Sequence, residues 1–128
     1  MNILIVEDEP GISKSIVQSI RRLRDGCVPL IADTIGKAES FLAVTPSFDL
    51  IFFDAKLGTE LTTNGLIEKA KTKFPQCIMV ATSSDPEQFK LQKQQGCTHE
   101  LKKPDGIYGQ IEALLNQVPN WWSTTKQS

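Results

Sequence analysis

Four short apolar runs, at residues 2–6, 27–32, 49–53 and 77–82, and a weaker strand-length stretch at 98–102 alternate along the 128-residue chain with five stretches of helical periodicity. A strand-length run followed by a helix-length segment, repeated, is the signature of β-α units, because parallel strands need long crossovers between them. The helical stretches carry ordinary boundary signals. Pro10 opens the first, with Ile12, Ile16, Ile20 and Leu23 on one face, and Asp25-Gly26 breaks it. Thr34 can cap the second, which carries Ile35, Ala38 and Leu42 and stops before Pro46. Asn64 can cap the third, with Leu66, Ile67, Ala70 and Phe74 ahead of Pro75. Asp85-Pro86 starts the fourth and Gly96 stops it. Beyond Phe89 and Leu91 that helix is mostly Lys and Gln. Residues 107–118 form the last, with Ile111, Leu114, Leu115 and Val118 apolar.

The run at 49–53 is apolar at consecutive positions, which predicts a strand covered on both faces. Pro29 cannot donate to a ladder and places the run at 27–32 on an edge. Residues 55–63 read as a long loop. The fold expected is α/β, a doubly wound five-stranded parallel sheet with five helices and right-handed crossovers. One domain over 1–118 and a tail over 119–128 fit this length.

Bulk properties exclude several classes. Apolar content of 40% and charged content of 23% are those of an ordinary globule. Fourteen basic and fifteen acidic residues leave a net charge of -1, so no basic field suggests nucleic acid. No apolar stretch is long enough for a membrane span. MNILIVEDEP turns acidic after four apolar residues, unlike a signal peptide. Cys27, Cys77 and Cys97 lack metal-ligand spacing and read as reduced, mostly buried thiols of a cytoplasmic protein.

The run FDLIFFD ends on a carboxylate, Asp54, which is costly to bury without a partner. In open α/β sheets, sites lie outside the carboxyl ends of the strands. Glu7 and Asp8 follow the first strand, and Lys103 closes the fifth, so all reach the edge that holds Asp54. Each has a plain alternative. Glu7-Asp8 can be first-turn acids favoured by a helix dipole, Asp54 a cap of the next turn, and Lys103 a solvated loop lysine. Their joint occurrence at strands one, three and five favours a site. Clustered carboxylates repel unless a cation holds them, and an oxygen-only set suits Mg²⁺. A carboxylate nucleophile, Mg²⁺ and a lysine together suit the formation of an aspartyl phosphate.

With ILIVEDE at 3–9, DLIFFD at 49–54 and KKP at 102–104, the chain resembles the receiver domains of two-component response regulators over residues 2–118. The resemblance implies a flavodoxin-like strand order 2-1-3-4-5. It also implies that Asp54 accepts a phosphoryl group from a histidine kinase or histidine phosphotransfer protein. Asp8 and Asp54 would ligate Mg²⁺ directly, Glu7 largely through a water, and Lys56 through its backbone carbonyl. Lys103 would pair with Asp54 and then with the phosphoryl group. The family's Ser or Thr at the end of strand four falls on Ala81 by counting back from Lys103, and on Thr82 by the strand pattern. Thr82 is preferred, with Ser83 next. Glu100 stands where the family has an aromatic, and Gly58 where it has a proline. The loop up to Gly65 is about three residues longer than usual for the family.

The function implied is that of a single-domain response regulator in a phosphorelay, with output through an unknown downstream protein. It would not turn over a separate substrate. A pseudo-receiver that docks proteins without phosphorylation is the alternative, favoured by Ala81 and Glu100 and opposed by the intact acids and lysine. A phosphatase of the FDxDGT type needs a second acid where Lys56 stands. A flavin carrier needs a phosphate loop, which EDEP would repel. His99 reads as an edge-strand residue before a phosphotransfer group. Trp121-Trp122 reads equally as a partner or dimer contact and as a tail folded onto the last helix.

Overall fold

Every apolar run forms a strand and every periodic stretch a helix in the computed structural model, which describes residues 2–58, 61–103 and 106–117. In chain order these are β1 (Ile3–Val6), α1 (Pro10–Leu23), β2 (Leu30–Ala32), α2 (Ile35–Val44), β3 (Leu50–Asp54), β4 (Lys56–Leu57), β5 (Leu61–Thr62), α3 (Asn64–Lys73), β6 (Ile78–Ser83), α4 (Pro86–Gln95), β7 (His99–Lys102) and α5 (Ile107–Gln117). The main sheet is parallel, in the order β2-β1-β3-β6-β7. With the short β4-β5 pair set aside, that is the expected 2-1-3-4-5. Among the described residues, no helix is long and apolar enough to cross a membrane.

Period-two alternation divides the core. Leu4, Val6, Ile51, Phe53, Met79 and Ala81 point to the layer made by α2, α3 and α4. Ile3, Ile5, Leu50, Phe52, Val80 and Leu101 point to the layer made by α1 and α5. A strand packed on both faces must be apolar at every position, and all five residues of β3 are buried.

Several features differ from expectation. The second strand begins at Leu30, because Cys27 N–H is taken by the Arg24 carbonyl in a turn and Pro29 has no N–H. In the stretch expected as an open loop, Lys56 pairs antiparallel with Thr62 and Leu57 with Leu61, and Leu57 is buried in the core. Thr63, and not Asn64, stands at the cap of α3. In α4, Leu91 is exposed while Gln92 is fully buried, its Nε2 donating to the Phe53 carbonyl at 2.8 Å. Val118 and Trp121-Trp122 lie outside the described residues. The three cysteines are buried and free, and burial pushes the Cys77 and Cys97 thiols up to about 12.

Thr34 caps α2 as expected, accepting the Lys37 N–H at 3.1 Å. Thr34→Ala is expected to cost about 1 kcal/mol. Urea denaturation checks this as a lower midpoint at constant slope. An unchanged midpoint would mean the cap contributes nothing.

Candidate functional site

Glu7 follows the last residue of β1 and keeps in step with Ile3 and Ile5, so it lies on the α1–α5 side of the sheet edge. It is 1% exposed. Its Oε2 accepts the Asp8 N–H at 3.1 Å and, more weakly, the Glu9 N–H at 3.5 Å. Its Oε1 lies 2.7 Å from Lys103 Nζ, an ion-pair contact without an aligned hydrogen-bond donor. Burial, joined by the neighbouring Asp54 carboxylate and opposed by Lys103, pushes Glu7 up to about 8.

Asp54 ends β3 in register with Thr82. Its Oδ1 accepts from Lys103 Nζ at 3.0 Å. The Lys103 side chain is 8% exposed and leans between Glu7 and Asp54, with Glu9 Oε1 at 3.9 Å. Burial works against the Lys103 ammonium, but its close contact with Glu7, its hydrogen bond to Asp54 and the charges of both outweigh that and raise it above the usual lysine value. β7 supplies this lysine because the Lys103 N–H still donates to the Ser83 carbonyl at 3.0 Å, one step past the end of the strand. Asp8 stands beside the pair, its Oδ2 accepting the Gly58 N–H at 2.8 Å. A proline at 58 could not make that bond.

Carboxylate oxygens of Glu7, Asp8 and Asp54 lie within 4.8 Å of one another. Three clustered acids, one of them with an oxygen lacking an aligned donor, fit a hard divalent cation. The Lys56 side chain is exposed at the rim of the same cleft. Thr63 N–H donates to the Ala55 carbonyl, so by ladder alternation the next pair, Lys56 and Thr62, is the non-bonded kind. The Lys56 carbonyl is thereby turned out of the hairpin.

Ala81 pairs with Phe53 in the core, one step short of Asp54. Thr82 is the residue beside Asp54 and is buried. Ser83 lies in the cleft wall, its Oγ accepting the Asp85 N–H at 3.0 Å. Glu100, where the receiver-domain resemblance implied an aromatic, makes an ion pair with Lys93 of α4. His99 is half-buried on the edge strand β7, beside the Thr98 hydroxyl. Glu9, Thr63 and Gln92 escaped the sequence reading. Glu9 could have been suspected from the EDE triplet, whereas Thr63 and Gln92 carry no signal short of the fold.

The sequence matches no family model and no curated protein. Solved structures do match. A CheY-like response regulator receiver domain protein from Methanospirillum hungatei JF-1 superimposes with a TM-score of 0.77 at 23% identity, over 97% of each chain. A response regulator from Burkholderia pseudomallei, solved with a phosphorylated aspartic acid, calcium ion and citrate, gives 0.74 at 17% identity, over 98% of this chain and 71% of that one. The Vibrio cholerae chemotaxis protein CheY4 gives 0.73 at 17%, over 92% and 98%. The fold is that of response regulator receiver domains, and it spans nearly the whole chain.

Proposed function

We infer that this chain is a phospho-receiver in which Asp54 accepts a phosphoryl group from a phosphohistidine donor, with Mg²⁺ held by Asp8, Asp54 and the Lys56 carbonyl and by Glu7 through a water. The observation that carries this reading is the buried Lys103 ammonium, 2.7 Å from Glu7 and 3.0 Å from Asp54 within the three-carboxylate cluster. A structural ion pair would need one acid for one lysine, and a third acid beside it would only add repulsion.

One carboxylate oxygen of Asp54 attacks phosphorus, and the P–N bond of the donor breaks, with its electron pair leaving on the imidazole. Lys103 holds Asp54 before transfer and follows a phosphoryl oxygen afterwards, a short move for a flexible point charge. Thr82, beside Asp54 in register, would donate its hydroxyl to another phosphoryl oxygen. Mg²⁺ supplies charge neutralisation for the incoming phosphoryl oxygens. The added charge then alters contacts with a downstream protein.

Intact mass after incubation with acetyl phosphate, with and without Mg²⁺, tests the reading. The expected result is a Mg²⁺-dependent gain of one phosphoryl group that is absent in Asp54→Asn. No gain in the folded wild-type protein, with acetyl phosphate or a phosphorylated histidine donor, would leave a docking module of the same fold.

A further inference from the structure

The geometry points to Thr63 as a positioning residue for the Asp54 phosphoacceptor, an inference that rests on the phosphoryl-transfer reading above. Thr63 is fully buried at the cap of α3. A threonine there ordinarily accepts an N–H from the first helical turn. Thr63 makes no such bond. Its hydroxyl turns the other way and donates to the main-chain carbonyl of Asp54, with the Ala55 carbonyl at 3.4 Å as a weaker second acceptor. Its N–H donates to the same Ala55 carbonyl at 3.2 Å.

The need for this tie follows from the register. β1 pairs with β3 only as far as Phe53, so Asp54 passes beyond the strand that steadies that side of β3. The Asp54 carbonyl belongs to the peptide plane that sets ψ of Asp54. Fixing it fixes the frame from which the carboxylate is presented to Lys103 and to a donor. The β4–β5 hairpin makes this possible, because pairing Lys56 with Thr62 returns the chain nine residues later to the residue it left. Leu57, 2% exposed, anchors the hairpin in the core. The helix gives up its side-chain cap, a local rule broken where a site gains order.

The test is the rate of Asp54 phosphorylation by acetyl phosphate with saturating Mg²⁺, at a temperature where every variant is folded. Thr63→Val keeps the shape and removes the hydroxyl. Its maximal rate is expected to fall about tenfold, since small misplacements of a reacting group are costly. The acetyl phosphate concentration giving half the maximal rate should not change. Thr63→Ser, which keeps the hydroxyl, should restore the rate. Ile16→Val, in the α1 layer, is the destabilised control and should react like wild type. If the valine variant does not fold, Thr63→Ala against Thr63→Ser carries the same comparison. A folded valine or alanine variant as fast as wild type, or a serine variant as slow as either, would overturn the inference. Wild-type protein indistinguishable from Asp54→Asn would overturn the phosphoryl-transfer reading, and this inference with it.

Discussion

Lys103→Met is expected to slow phosphorylation of Asp54 on the order of a hundredfold, while tightening Mg²⁺ binding. Both effects come from one ammonium held 2.7 Å from Glu7 and 3.0 Å from Asp54. In the transition state it is the donor that would meet a phosphoryl oxygen, and methionine offers no donor. In the resting site it is a positive charge competing with a divalent cation for the same carboxylates, so its removal favours the cation. Single-turnover rates with acetyl phosphate and a calorimetric Mg²⁺ titration separate the two. A variant that loses rate and Mg²⁺ affinity together would mean Lys103 holds the site's shape and does not act on the phosphoryl group.

The second large effect is on stability against pH. Burial raises Glu7 from an ordinary value of 4.5 to about 8. Between those values the folded protein holds a proton that the unfolded chain has released. Folding then binds protons, so stability falls as pH rises through this window. Integrated from pH 5 to pH 8, the loss is on the order of 3 kcal/mol for the metal-free protein. Lys103, raised above its usual value, adds no slope there, because it is protonated in both states below that value. Urea denaturation at stepped pH values measures the loss. Glu7→Gln should flatten the dependence, and so should saturating Mg²⁺, which takes the place of the proton. An equal slope in Glu7→Gln would assign the titration to another group.

The alternating runs predicted the number, type and order of the main elements, because each buried strand must be apolar at every position and each helix apolar on one face. The parallel sheet followed from the length of the connections. Edge placement of the second strand followed from Pro29, and its shortening to Leu30–Ala32 from a turn bond at Cys27 that no pattern announces. The β4–β5 hairpin was invisible for the same reason. Two residue pairs are too few to show a period, and the pairing is fixed by the buried Leu57 and by bonds to Asp8, Asp54 and Ala55. Gln92 read as one more polar residue of a polar helix, and only the packing of α4 against the sheet shows that its amide is buried on the Phe53 carbonyl.

What the sequence determined by itself was the placing of Glu7, Asp8, Asp54 and Lys103 at the ends of strands one, three and five. Strand ends of a parallel sheet share an edge, so those four residues had to converge. What only the tertiary structure decided was which neighbour serves them. Register, and not residue count, puts Thr82 beside Asp54 and leaves Ala81 in the core. A bend of the chain, and not a motif, brings the Gly58 N–H to Asp8 and the Thr63 hydroxyl to Asp54. Hydrogen bonds of that kind depend on positions resolved to a fraction of an ångström, and a pattern of residue types carries no such distances.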